Sequence, residues 1–473
     1  MKNLIWSLCS LIVLCLSLTT NSNAQSNANI PNVDEKVAQI MERYQIPGAA
    51  VGIMKDGKII HENYYGYAHV QHEVPASENT LFSVYSCTKL MAATAFFKLV
   101  EDGKLDLEES AKSYLDHLPD AWAPVKIKHL LSHSSGLADV AKLEKNKLST
   151  EVYTMPIVSE PGLTFVYNQT NFWLLQQILE KVSGQSFGQF VMDQQFNGGS
   201  PETIFSSNAS DIIKNRATKY APSKDRTRMI QDHYEYDEEA WSGNGLNMTL
   251  GVFMQWTEDL RNDKFLKRET RNLMWSEFEY KDDFIFGHGW GKYQLDGKTG
   301  YGFTGGIATG VRYFPEEEVS IVWLTNGGAV YHSMQEDMRR LLAAADVGLN
   351  EPNTIAEMDL YEAFNNNASE GLSHYASITR QQPDLGLENV MNALGYEFLN
   401  NNKITTAIEI FKLNVKENPD SWNVYDSLGE GYETKGELAK AIEFYKRSVE
   451  MNAENTHGID KIKVIEERIA EGG

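Results

Sequence analysis

The stretch Phe82–Ala93, FSVYSCTKLMAA, decides how the rest of the chain is read. It sets Ser86 three positions before Lys89, at the start of an apolar run. From Leu90 to Val100 that run is apolar nearly all round, and Asp102-Gly103 closes it. A helix apolar on every face is buried rather than laid on a surface. Residues i and i+3 share a helical face, about one turn apart. A serine hydroxyl is a poor nucleophile until a base takes its proton. A lysine serves as that base when burial or a nearby cation lowers its pKa. The same residues also fit a plain helix start, with Ser83 or Ser86 as the cap and Lys89 reaching to solvent. Spacing alone does not choose between the two.

The flanks add a frame. AAVGIMKDGKIIHENYYGYAHV reads as two strands around the turn Lys55-Asp56-Gly57. From about 105 to 290 the chain is mostly helical, as in FWLLQQILEKVSG, Phe172 to the glycine stop at Gly184. Strands return in ATGVRYFP and VSIVWLTN, on either side of Glu316-Glu317-Glu318, and a helix from His332 to about Ala345 follows. Strands at both ends with helices between predict an α+β fold. One antiparallel sheet is flanked by helices, and the helical middle forms a second lobe.

The N-terminus, MKNLIWSLCSLIVLCLSLTTNSNA, has a basic start, an apolar Leu4–Leu18 stretch and small residues ending at Ala24. That is the pattern of a secretory signal over residues 1–24, too short for a ~20-residue membrane span. The expected location is periplasmic or secreted, with no stable membrane span once the signal is removed. Of Cys9, Cys15 and Cys87 only the last remains, so the mature chain has no internal disulfide. Residues 25–33 are Asn/Ser-rich and are expected to be disordered. A net charge of −22, from 65 acidic and 43 basic side chains, argues against nucleic acid as a partner.

The 473 residues suggest more than one domain. Residues 25–345 form the first. Residues 346–386, with EAFNNNASEG, read as a linker. Beyond it Leu394 and Leu428, Gly395 and Gly429, Phe398 and Tyr432, Ala407 and Ala441, and Phe411 and Tyr445 each lie 34 apart. That period is the tetratricopeptide pattern, expected over 387–470, with THGIDKIKVIEERIA as a capping helix. Such an array suits a protein or peptide partner.

From Gly48 through the Ser86 stretch the sequence resembles the serine β-lactamase and penicillin-binding-protein family, closest to its class C-like esterase and D-peptidase branch. The resemblance runs on through VKIKHLLSHSSGL (Val125–Leu137), PGLTFVYNQTNFWLLQQILEKVSG (Pro161–Gly184) and VRYFPEEEVSIVWLTN, covering about residues 33–345. It implies that Ser86 is the acylated nucleophile and Lys89 its lysine. The family's Tyr-x-Asn motif maps onto Tyr167 and Gln169, a longer amide than the usual asparagine. The third motif, Lys-Thr-Gly or His-x-Gly, has two claimants. Lys298-Thr299-Gly300 is a literal match but follows the turn Asp296-Gly297, which suggests a hairpin loop. Phe303-Thr304-Gly305 lies just before the paired strands and fits better. An apolar ring would then replace the cation that grips a substrate carboxylate. The backbone amides of Ser86 and Gly306 would form the oxyanion hole.

The reading is thus a serine hydrolase acting on an ester or amide, with a D-amino-acid peptide as one candidate, through an acyl-enzyme on Ser86. Its substrate is a small molecule or peptide, and no cofactor or metal is needed. True β-lactamase activity is less expected than carboxylesterase or D-peptidase activity. Arg312 and Lys298 are the cations that would change that if either reaches the site. The competing reading is a non-catalytic penicillin-binding-like or scaffold protein acting through its repeats, favoured by Gln169 and Phe303. His129 and His133, four apart, invite a metal site, but spacing supplies no third ligand, and packing is the simpler reading. Cys87 is read as core.

Overall fold

Strands Gly48–Lys55 and Val319–Thr325 pair antiparallel, Ala49 opposite Thr325 and Lys55 opposite Val319. This pairing joins the two ends of the first region into one sheet. The computed structural model describes residues 29–142, 150–223, 228–235, 237–281, 284–306, 308–328 and 333–472. The expected signal over 1–24 and the expected helix start at His332 lie outside the described residues.

The sheet has seven strands, in the spatial order Val74–Pro75, Lys58–His69, Gly48–Lys55, Val319–Thr325, Thr309–Phe314, Lys298–Gly305, Gly291–Leu295. Every neighbouring pair is antiparallel. Two of its hairpins turn on Asp-Gly. Asp56 and Gly57 have φ 51° and 72°, and Asp296 and Gly297 have φ 52° and 69°. Two successive left-handed residues make the two-residue turn that matches strand twist. Because the second turn is so short, Lys298-Thr299-Gly300 begins a strand and is not in a loop, contrary to expectation.

Alternation along the central strands feeds two cores. Val51, Ile53, Ile321 and Trp323 face helices Pro31–Tyr44 and Met334–Ala345. Ala50, Met54, Val322 and Leu324 face the helical lobe. In that lobe the helix Thr88–Glu101 is buried on all sides from Thr88 to Phe97, as its composition requires. The expected disorder over 25–33 does not reach the described end. Pro31 opens a helix at its first turn, where its missing N–H costs nothing, and Val33 is buried.

The expected linker is also corrected. Helices Pro352–Asn366 and Ala368–Gln381 fill most of it. The asparagine run that looked structureless holds a cap: the Asn367 side chain accepts from Glu370 N, starting the second helix. Five further helices run from Glu388 to Gly472. The repeated small residues sit where helices touch. A Cβ on Gly395 would lie 2.3 Å from Phe411, and one on Gly429 2.9 Å from Tyr445.

A buried charge network ties this helical region to the sheet. Glu357 accepts from Arg340 Nε at 3.0 Å and from Arg43 Nη2 at 3.1 Å. Arg340 also reaches Asp337, whose carboxylate takes the Trp323 indole N–H at 3.2 Å. Burial raises the Glu357 carboxyl, but the Arg340 and Arg43 charges outweigh it and pull the pKa from 4.5 to about 2. The folded carboxyl stays charged where the unfolded one protonates. Its stabilisation is therefore full above about pH 4.5 and is lost as pH falls towards about 2. Glu357→Gln should cost about 3 kcal/mol at neutral pH and flatten the acid side of the stability profile. Urea unfolding from pH 7 down to 3 would check this, and an unchanged profile would refute it.

Candidate active site

Ser86 lies on a short 3₁₀ turn, Tyr85–Cys87, that leads into the helix Thr88–Glu101. Tyr85 before it has φ 45°, a left-handed conformation unusual for a bulky residue. Neither Ser83 nor Ser86 caps the helix, so the plain reading of the motif fails. The Ser83 hydroxyl instead donates to Asn247 Oδ1 at 2.6 Å. Thr88 Oγ1 accepts from Leu246 N at 3.2 Å, fixing the turn to the neighbouring strand.

Lys89 is 0 % exposed. Its ammonium donates to Gly243 O at 2.8 Å, Gln169 Oε1 at 3.4 Å and Ser86 Oγ at 3.4 Å. The rings of Phe172 and Tyr167 lie 5.0 and 5.1 Å from Nζ, within cation–π range. None of its partners among the described residues is a carboxylate. Tyr167 Oη donates to Ser86 Oγ at 2.9 Å. Thus Ser86, Lys89, Tyr167 and Gln169, separated by up to 83 residues in sequence, meet at one point.

Local structure holds Tyr167 and Gln169 in place. Asn168 caps the helix Gln169–Ser183 by accepting from Asn171 N at 3.0 Å. The Asp139 carboxylate takes the N–H of Gln169 at 3.0 Å. Beneath Tyr167 lies His133, ring centroids 4.5 Å apart. The His133 Nδ1 faces Asn171 Nδ2 at 3.1 Å, so it accepts there. Burial, with the nearby Lys89 charge, holds the His133 pKa well below 6.5 and the ring neutral. His129 and His133 do not share a helical face: the helix spans only Ile127–Leu131, and His133 has φ 54°. His129 packs edge-on against Phe278, and burial pushes its pKa down to about 4.

The strand Lys298–Gly305 ends against the Ser86 turn. A Cβ on Gly305 would stand 2.2 Å from Val84 O and 3.1 Å from Ser86 N. Only glycine permits this approach. Gly306 follows with φ 58°. Phe303 points into the site, its ring 6.3 Å from Tyr167 and 6.0 Å from Phe286. Thr304 accepts from Arg312 Nη2 at 2.9 Å. Phe303-Thr304-Gly305 is therefore the segment beside Ser86, whereas Lys298 starts the far end of the strand and pairs with Glu317 at 3.4 Å.

Arg312 does not serve the site as a free cation. It is 2 % exposed and stacks on Tyr293 at 3.5 Å. Its guanidinium donates to the Phe303 and Val311 carbonyls, Thr304 Oγ1 and Gln335 Oε1. Cys87 points away from the cleft, its Sγ 3.6 Å from Phe303 O, and burial pushes its thiol up to about 12. Gly243 is the residue the sequence analysis missed. Its signal was faint: a glycine between polar residues in WSGNG, far along the chain.

The Beta-lactamase family model matches residues 33–359. Protein flp of Staphylococcus aureus (strain MW2) is 29% identical over 182 residues, 36% of this chain and 36% of that protein. The match thus spans about a third of that relative's own length. Among solved structures, the octameric penicillin-binding protein homologue from Pyrococcus abyssi superposes with TM-score 0.59 at 22% identity, over 69% of this chain and 80% of that one. EstCE1, a hydrolase with promiscuous acyltransferase activity, gives TM-score 0.57 at 22% identity, over 66% and 97%. These two likenesses concern the fold. The family match covers most of the chain and includes every residue assembled above: the chain belongs to the Beta-lactamase family.

Proposed function

We propose that this protein is an exported serine hydrolase that cleaves an uncharged ester, or an amide without a gripped carboxylate, through an acyl-enzyme on Ser86. The observation that carries the reading is the contact of Tyr167 Oη with Ser86 Oγ at 2.9 Å, beside the buried Lys89 ammonium. A hydroxyl within hydrogen-bond reach of a supported partner can lose its proton as it attacks. In the reactive state the Tyr167–Lys89 pair holds one proton fewer than its full complement; as Ser86 Oγ bonds to the carbonyl carbon, the hydroxyl proton passes to that open place on the pair. The amides of Ser86 and Gly306 hold the oxyanion. The pair then gives a proton to the leaving group as its bond to carbon breaks. Water attacks the acyl group by the same route in reverse and frees Ser86. The Gln169 amide, its oxygen turned to Lys89, keeps its N–H₂ group for an acyl-side carbonyl.

The substrate class is argued from Phe303 and the rings around Tyr167. Phe303 stands at the motif position from which a cation would grip a carboxylate; the buried Arg312 guanidinium is taken up by the Phe303 carbonyl, Thr304 and Gln335, and Lys298 pairs with Glu317. Tyr167, 38% exposed, and Phe284, 45% exposed and stacked 4.0 Å from Phe165, give the surroundings an apolar character. An ester with an apolar group suits these surroundings better than a β-lactam or a D-peptide carboxylate. The signal over 1–24 supports action in the periplasm or outside the cell. We read the 34-residue helical repeats as tetratricopeptide-like and as the surface for a protein or peptide partner.

Intact-protein mass after treatment with a fluorophosphonate and with a penicillin tests the reading. We expect an adduct from the fluorophosphonate alone, and none on Ser86→Ala. Adducts persisting on Ser86→Ala, or no adduct on the folded wild type, would refute the acyl-enzyme. Phe303→Lys should raise acylation by the penicillin about 10- to 100-fold, the value of one charge-assisted hydrogen bond. A penicillin that acylates the wild type as fast as this variant would overturn the substrate argument.

A further inference from the structure

We propose that Gly243 is a positioning residue for Lys89, and that its missing side chain is what allows a glutamine to stand at position 169. The inference rests on the acyl-enzyme reading above and concerns the same site.

Gly243 lies in the short helix Trp241–Asn244 and is buried. Its φ is not in the left-handed region, so its backbone does not call for glycine. On helix propensity alone alanine is the better residue there. The space around it says otherwise. A Cβ at this position would lie 2.8 Å from Gln169 Oε1 and 3.4 Å from Lys89 Nζ. The first distance is too close for carbon and amide oxygen, so the Gln169 amide would have to move. The helix cannot back away easily. Ser242 N donates to Gln176 Oε1 at 3.0 Å, and Ser242 Oγ donates to Phe172 O at 2.7 Å. Both partners belong to the helix that carries Gln169.

The Gly243 carbonyl meanwhile takes the shortest of the Lys89 hydrogen bonds, at 2.8 Å. Gly243 therefore supplies one acceptor and leaves room for another. Lys89 has three N–H donors, and its three acceptors are Gly243 O, Gln169 Oε1 and Ser86 Oγ. Pushing the Gln169 oxygen aside re-aims the ammonium, and the equally long 3.4 Å contact to Ser86 shifts with it. An asparagine is shorter by one carbon–carbon bond, about 1.5 Å, and would leave space for a methyl group at 243. Glycine at 243 and glutamine at 169 are thus matched in length.

The test is a double-mutant cycle on the full chain, with Gly243→Ala, Gln169→Asn and the pair together. The rate of fluorophosphonate labelling at Ser86 is read across pH, and the melting temperature is read beside it. Gly243→Ala should slow labelling about tenfold in the wild-type background and shift the midpoint of its pH profile. In the Gln169→Asn background the same change should cost no further rate and leave the midpoint where Gln169→Asn alone puts it. Labelling of Gly243→Ala at the wild-type rate would overturn the proposal, as would an equal loss in both backgrounds. If Gly243→Ala melts far below the wild type, Gln169→Asn should restore the melting temperature, and failure to do so refutes the clash. A folded wild type that never labels at Ser86 would instead strike at the acyl-enzyme reading. The cycle in melting temperature would still judge whether 243 and 169 are coupled.

Discussion

A lysine ammonium removed from water must give each of its N–H groups to an acceptor, or it does not stay charged there. At Lys89 the acceptors are a backbone carbonyl from Gly243, a side-chain amide from Gln169 and the Ser86 hydroxyl. No two of the three come from one segment. The helix Thr88–Glu101 brings the lysine, the helix Gln169–Ser183 the amide, and the turn around Gly243 the carbonyl. The packing of the helical lobe serves this convergence: those helices share one apolar core with the sheet face that carries Phe303.

The surroundings of the ammonium are aromatic rather than acidic. Phe172 and Tyr167 present ring faces, and His133 below Tyr167 is kept neutral. A carboxylate in contact with the lysine would lock the charge into a salt bridge and compete with Ser86. Ring faces attract the cation weakly and leave its hydrogen bonds to the polar acceptors. The same preference for rings continues to Phe303 and Phe286 on the sheet side. Among the described residues, the groups that touch the Lys89 ammonium are thus rings and neutral acceptors, with the Ser86 hydroxyl one of those acceptors.

Much of this was legible in the sequence. The Asp56-Gly57 hairpin, the all-apolar helix after Ser86 and the terminal strand pair each carry a local signal, and together they give the α+β sheet. Ser86, Lys89 and Tyr167 were legible because each sits in a short motif. Where reading failed, the cause was specific. Lys298 reads as a loop residue only if the Asp-Gly turn runs on past Asp296-Gly297, whereas the strand begins at once. The asparagine run at 365–367 reads as a linker because composition hides the capping role of Asn367. Gly243 was silent because its importance lies in a contact 154 positions from Lys89, made only when the lobe is assembled.

The pairing of Gly48–Lys55 with Val319–Thr325 also bears on how the chain comes to be folded. The seam at the centre of the sheet joins residues roughly 270 positions apart, a separation that slows assembly because so long a loop must close first. As the chain emerges from a ribosome, its first hairpin waits with one edge open until more than 260 residues beyond Lys55 have been made. During that interval an exposed strand edge is a template for wrong partners. A chain built this way favours a late, concerted collapse, in which the central seam closes only once the last strands arrive.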